Sequence, residues 1–268
     1  MTLSKEQVAR YGRQLILPDI GVSGQHKLLE ASVLLIGAGG LGSPAALYLA
    51  AAGVGTIGIM DREAVALSNL HRQIVHTTAG VGRPKSESAA SALRALNDGV
   101  RVIPIQESLT AANARHIVQA FDVVLHGSDN FPTRYLANDA CVLFSKPLVH
   151  GGVVQFGGQV MTILPKQSAC FRCVFPEPPP PGAAPSCQEA GIVGTAAGIL
   201  GSLMAHEALK LLLGAGEPLT DRLAVFEGKT SRFREVPLRR DPDCAVCGDT
   251  PTITALVEEE AWCSHTTA

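Results

Sequence analysis

Two Cys-x-x-Cys pairs, Cys170 with Cys173 and Cys244 with Cys247, are the strongest constraint on how this chain can fold. The segment Met1 to Arg10 is polar and charged and reads as no secretory signal, so the expected compartment is the reducing cytoplasm. There, paired thiols more often hold metal than form disulfides. Two such knuckles read as a closed, four-thiolate structural Zn²⁺ site. About 70 residues separate them, so the metal would clip the C-terminal segment onto the middle of the chain. Unrelated buried cysteines or a redox pair are the alternatives. Of the remaining thiols, Cys141 lies in an apolar helical context and reads as core, and Cys263 lies in a tail with no functional reading. Cys187 follows the proline-rich stretch Pro176 to Pro185, an expected exposed loop, where a thiol could receive an acyl or persulfide group.

The first 150 residues alternate between strand and helix patterns. Ser32 to Ile36 (S-V-L-L-I) and Thr56 to Met60 are short apolar runs without alternation, as strands covered on both faces require. Strands are also expected over 100–105 and 122–126. Helices are expected over 4–17, 43–52, 85–97 and 111–121, with a short helical turn at 25–30. Such alternation implies βαβ units with right-handed crossovers. The fold class is therefore α/β, a Rossmann-like parallel sheet with helices on both faces. Residues 153–164 predict one or two antiparallel strands turning at Gly157-Gly158, and 223–226 with 233–237 a closing pair. This gives an antiparallel C-terminal part clipped by the zinc site. The expected organisation is one domain over 1–248, with a nucleotide-binding core at about 30–150, a zinc-containing part at about 151–248, and a tail at 249–268.

Two broad classes are set aside. Lys and Arg number 22 against 24 Asp and Glu, a net charge of -2, which supplies no basic surplus for nucleic acid. The apolar run from Ala190 to Met204 falls short of the roughly 20 residues of a spanning helix. Its Gly194, Ala196, Ala197, Gly198, Gly201 and Ser202 predict a closely packed core helix instead, with no membrane as partner.

Gly37-Ala38-Gly39-Gly40-Leu41-Gly42 satisfies G-x-G-x-x-G directly between a strand and a helix, and Asp61 ends the next strand 19 residues beyond Gly42. Such glycines let backbone and a helix N-terminus approach phosphate, while the acid accepts from ribose hydroxyls. A turn serving packing alone is the bland alternative. Arg72 in Ser68-Asn69-Leu70-His71-Arg72-Gln73, and Lys85 after Gly82-Arg83-Pro84, are cations suited to charge building on phosphate oxygens. Taken singly, each also fits a solvated surface charge. Asp129 and Asn130 follow the apolar run Val123-Val124-Leu125, at the strand edge where α/β sheets bind ligands. Asp129 suits Mg²⁺ facing a triphosphate, or equally a cap for the helix beginning near Phe131. A nicotinamide-dependent oxidoreductase would explain the glycines and Asp61, but not Arg72, Lys85, Asp129 or the knuckles.

Arg10-Tyr11-Gly12-Arg13-Gln14, the glycine loop, Asp61, S-N-L-H-R-Q, G-R-P-K, S-D-N and the two knuckles occur in one order. Together they resemble the ubiquitin-activating-like superfamily, in its bacterial branch of molybdopterin-synthase and thiamin-biosynthesis adenylyltransferases. The resemblance covers about Ser4 to Gly248. It implies ATP- and Mg²⁺-dependent adenylation of the terminal glycine of a small ubiquitin-fold sulfur carrier ending in Gly-Gly. The adenylate would then be converted to a thiocarboxylate by a persulfide sulfur donor. Gly37, Gly39, Gly40, Gly42, Asp61, Ser68, Asn69, Arg72, Gln73, Lys85, Asp129 and Asn130 are thereby implied in the nucleotide and Mg²⁺ site. Arg13 matches an arginine that reaches into the other subunit's site, which implies a homodimer. Cys187 matches a loop cysteine that links covalently to the carrier in some members. His71 departs from the Asn or Gln often found there. With no rhodanese-like domain after the second knuckle, the sulfur donor is expected to be a separate protein. A non-catalytic or tRNA-modifying member of the superfamily is the remaining alternative.

Overall fold

Val33, Leu34, Leu35 and Ile36 are all buried, and alternate members face opposite cores. Such a strand must be covered on both faces, and the sequence supplies helices before and after it to do so. A computed structural model describes residues 2–179 and 190–257. Its elements run α1 (Lys5–Leu15), α2 (Gly21–Glu30), β1 (Ser32–Ile36), α3 (Gly42–Ala52), β2 (Thr56–Met60) and α4 (Lys85–Leu96). Then come β3 (Arg101–Ile105), α5 (Ala111–Gln119), β4 (Val123–His126), α6 (Phe131–Leu143), β5 (Leu148–Val154) and β6 (Gly157–Ile163). The short α7 (Phe171–Val174), α8 (Gly194–Leu213), β7 (Arg222–Glu227) and β8 (Arg232–Pro237) close the chain.

The eight strands form one sheet in the order β3-β2-β1-β4-β5-β6-β7-β8. Pairing is parallel from β3 to β5 and antiparallel from β5 to β8. Helices α3, α4 and α8 cover one face, and α5, α6 and the cysteine knuckles the other. Pro104 sits in β3, an outer strand, where its missing N–H costs no ladder bond. The other edge, β8, is defended by Arg232, Arg234 and Glu235.

Three expectations change. The turn joining β5 to β6 falls at Gln155 and Phe156, with Gln155 at φ 51°, and not at Gly157-Gly158. Those glycines open β6, where a Cβ on Gly157 would strike the Phe226 carbonyl and one on Gly158 would strike Gly152 and Leu200. Glycine there serves close approach of strands and helix. The helical turn at 25–30 is the end of a full helix starting at Gly21. The apolar helix runs over Gly194–Leu213, long enough by length and composition to cross a membrane, but half of its apolar window is buried inside the protein. It packs against α3 and the β5–β6 pair, and a Cβ at Gly201 would collide with Pro44 and the Leu41 carbonyl.

Candidate active site

Strand order reverses direction between β1 and β4, because the chain goes from β1 outward to β2 and β3 and then returns to β4. The loops after β1 and β4 therefore splay apart at their carboxyl ends and leave a crevice. Here it is an open cleft of about 1040 Å³, mouth included, lined by Gly37, Gly39, Gly40, Asp61, Arg72 and Lys85 from one side. Ser128, Asp129, Asn130 and Thr133 line the other. A shallower groove at the amino ends of the strands, beside Lys27, Glu30 and Asp122, has neither glycine turn nor helix N-terminus.

Gly37 adopts φ 100°, a left-handed conformation open to glycine, and a Cβ there would press on the Ser128 backbone. Gly42 lies behind the cleft wall, where any side chain would collide with the Gly37 carbonyl. Asp61 tightens the same turn. Its Oδ2 accepts from the Ala38 N–H at 2.9 Å and its Oδ1 from the Glu63 N–H at 2.9 Å. His76, which sequence reading passed over, bonds the Ala38 carbonyl at 3.0 Å and the Ser88 hydroxyl at 3.0 Å, holding the loop from below.

Arg72 lays its stem over Gly40. Its guanidinium bonds the Ser68 carbonyl at 3.1 Å and His71 Nε2 at 2.8 Å. Ser68 thus contributes its backbone, and its exposed side chain is not among the lining residues. Asn69 lines the cleft while its Oδ1 accepts from Ala66 N, fixing the 3₁₀ turn that presents Arg72. Gln73 is 4% exposed, and its Oε1 has no partner among the described residues. Lys85 is buried and paired with Glu63 at 2.5 Å, a partner that no motif announces.

The two readings of Asp129 separate. Asn130 caps α6, its Oδ1 accepting from Thr133 N at 2.8 Å. That leaves the exposed Asp129 carboxylate with no hydrogen bond or ion pair to the described residues, at the cleft mouth. A carboxylate so placed fits Mg²⁺, which takes few protein oxygens and completes its shell with phosphate and water. Arg13 is exposed on α1, which docks on the far end of α3 through Gln14 Nε2 and the Ala52 carbonyl. Ten helical steps of about 1.5 Å lie between that end and the glycine loop, and Arg13 is not among the residues lining its own chain's cleft. Cys187 lies outside the described residues.

The four knuckle sulfurs converge, all within 4.8 Å of one another. Cys170 to Cys244 is 3.6 Å, Cys170 to Cys173 3.8 Å and Cys173 to Cys247 3.3 Å. A tetrahedral metal with bonds near 2.3 Å, as for Zn²⁺ on thiolates, needs sulfur edges of about 3.8 Å, so the donor set fits a metal. The Asp241 N–H points at Cys173 Sγ, the kind of outer support that orients a ligand. Asn138 Oδ1 accepts from Phe171 N, and Asp139 holds Arg172 in a bidentate pair. Both carboxamide and carboxylate belong to α6, so the helix that starts at the Asp129 loop is bolted to the first knuckle.

Three buried histidines surround these elements. Burial lowers His76, drives His126 down to about 3, and holds His150 well below the ordinary 6.5, with Arg134 adding to the last two. All are neutral in the fold, whereas the unfolded chain takes up protons below 6.5. Stability is therefore full above pH 6.5 and falls as pH drops below it, for His126 by on the order of 1.4 kcal/mol per unit down toward 3, with His76 and His150 acting in the same direction. Urea unfolding at pH 7 and pH 5 should show this loss, and His126→Gln should flatten the slope by about one proton. Equal slopes in the two proteins would contradict it.

The cleft and knuckles define an α/β protein with a nucleotide-type cleft at its switch point and a four-cysteine cluster able to hold a metal. Residues 11–246 match the ThiF family, and the chain belongs to that family. A sulfur carrier protein adenylyltransferase of Thermus thermophilus is 51% identical over 268 residues, covering 98% of this chain and 99% of that protein. The adenylyltransferase and sulfurtransferase MOCS3 of Aedes aegypti is 47% identical over 263 residues, which is 98% of this chain but 60% of the longer relative. Among solved structures, E. coli MccB superposes with a TM-score of 0.79 at 22% identity, over 93% of this chain and 74% of MccB. MccB with ATP gives a TM-score of 0.76 at 22% identity, over 89% and 74%. That likeness concerns the fold.

Proposed function

We propose that this chain adenylates the C-terminal glycine of a small ubiquitin-fold sulfur carrier ending in Gly-Gly, using ATP and Mg²⁺ and releasing pyrophosphate. Thiocarboxylate formation by a persulfide donor would follow. The observation that carries the reading is the convergence of Asp61, Arg72, Lys85 and Asp129 on one cleft at the switch point. The full-length likeness to a sulfur carrier protein adenylyltransferase supports it.

The carrier carboxylate attacks the α-phosphorus, an oxygen–phosphorus bond forms, and the bond to pyrophosphate breaks. The nucleophile is already an anion and needs no general base. Charge builds on the α-phosphoryl oxygens and the leaving pyrophosphate, so cations in a preorganised site do the catalytic work. Arg72 is fixed over Gly40 for this role, and Lys85 serves it by exchanging Glu63 for phosphate. Asp129 is the residue that would hold Mg²⁺, with Asn130 capping α6 beside it, and Mg²⁺ when bound would supply charge neutralisation of the phosphates. The glycine loop and the N-terminus of α3 receive phosphate oxygens. The outward position of Arg13 suits donation to a partner's cleft in a homodimer, and the knuckles suit Zn²⁺ in a structural role. The expected compartment is the cytoplasm.

ATP–pyrophosphate exchange that requires a Gly-Gly carrier is the test. Exchange that proceeds equally without carrier, or nicotinamide binding in place of ATP, would sink the proposal. Cys187→Ala should leave exchange intact and stop only later sulfur transfer. Loss of exchange in a folded Cys187→Ala protein would place that thiol at the adenylation step.

A further inference from the structure

We infer that Ser128 is a nucleotide-contacting hydroxyl of the cleft, and that His126, backed by His150, is a positioning residue that sets it as a hydrogen-bond donor. The inference rests on ATP occupying this cleft, and not on the identity of the carrier.

The geometry begins with register. His126 ends β4 and is paired directly with His150 on β5. Their rings stack at 5.2 Å with 14° between planes, and both are essentially inaccessible to solvent. His126 Nδ1 lies 3.2 Å from His150 Nδ1, and His126 Nε2 lies 2.8 Å from Ser128 Oγ. Ser128 in turn lines the cleft between the glycine loop and Asp129. A continuous chain therefore runs from the core through His150 and His126 to one hydroxyl at the nucleotide site.

Two neutral imidazoles meeting through Nδ1 share one proton, so only two arrangements exist. In the first, His126 carries the proton on Nδ1 and gives it to His150. His150 then holds its own proton on Nε2, which has no partner among the described residues, and Ser128 must spend its proton on His126. In the second, His150 donates from Nδ1, and His126 donates from Nε2 to Ser128 Oγ. The partnerless His150 Nε2 is then a bare lone pair. A buried N–H without an acceptor is rarer than an unsatisfied acceptor, which favours the second arrangement. It leaves the Ser128 proton free to be donated into the cleft. Arg72 and Lys85 mark that cleft as one for anionic oxygens, and a hydroxyl donating to such an oxygen makes a charge-assisted bond.

The test is calorimetric titration of the full chain with Mg-ATP, without carrier. Ser128→Ala should bind about tenfold more weakly, or about 1.4 kcal/mol. His126→Leu should show a similar loss in the parent and no further loss in the Ser128→Ala background, and His126→Gln, which keeps a donor near Nε2, should recover most of the affinity. On the unmodified protein, imidazole ¹⁵N shifts should show His126 protonated on Nε2 and His150 on Nδ1, a readout independent of whether His126→Leu folds. Parent affinity in Ser128→Ala, equal losses from His126→Leu in both backgrounds, or the opposite tautomers would overturn the inference alone. A parent that binds no Mg-ATP would overturn it together with the nucleotide reading.

Discussion

Cys170→Ser is expected to release the metal and to lower the melting temperature by more than about 10 °C. The four thiols come from two segments some 70 residues apart, so the metal would join the second knuckle directly to the first. Cys244, Val246 and Cys247 are buried in the same apolar cluster as Cys170, Phe171 and the inner face of α6. Thiolate zinc sites in small peptides are worth roughly 10 to 16 kcal/mol. Losing even a third to a half of that, at about 2 to 4 °C per kcal/mol for a chain of this size, gives a shift of that order. Metal analysis should find one zinc per parent chain and none in the variant. Damage should also travel. Asn138 and the Asp139–Arg172 pair tie the first knuckle to α6, whose N-terminus presents Asp129 and Asn130. A variant that keeps the parent's melting temperature, with or without metal, would show that apolar packing and not the metal holds the C-terminal segment.

How much of this was legible in the sequence depends on whether the information was local. β1 and β2 were readable to the residue because the last four positions of each are buried, so the apolar pattern is continuous and short. The nucleotide cleft was readable because strand, glycine loop, helix and distal acid lie along one stretch of chain. β5 was not: His150, Gly151 and Gly152 interrupt its apolar run, and a Cβ at 151 would strike Met204 on α8, 53 positions later in the chain and invisible to periodicity. The same holds for the hairpin, where Gly157-Gly158 looks like a turn but is demanded by neighbouring strands. Asp129 and Asn130 were indistinguishable as caps, since both residue types cap well, and only the Asn130 to Thr133 bond divides them. Glu63 and His76 were missed for a common reason. Each acts through a partner on another element, Lys85 or Ala38, and short motifs carry no signal for such pairs.

Arg72→Ala and Asp129→Ala are each expected to cut carrier-dependent ATP–pyrophosphate exchange by about 10² to 10³, with little change in melting temperature. A preorganised group facing developing charge is worth roughly 3 to 4 kcal/mol when removed, which is that range in rate. The two should differ in how the loss is expressed. Arg72 is held by the Ser68 carbonyl and His71, so on the proposed reading it would meet the phosphates in the ground state and the transition state alike, and its loss should raise KM for ATP as well as lower kcat. Asp129 makes no hydrogen bond or ion pair to the described residues, so its removal breaks nothing among them and should appear chiefly as weakened Mg²⁺ dependence. Raising Mg²⁺ should partly restore Asp129→Ala and leave Arg72→Ala unchanged. Asn130 offers an internal control, because Asn130→Ala removes the cap of α6 and should cost about 1 kcal/mol of stability alongside any loss of rate. Exchange that survives in both Arg72→Ala and Asp129→Ala would mean that the charge chemistry is done elsewhere, and the assignment of this cleft would fail with it.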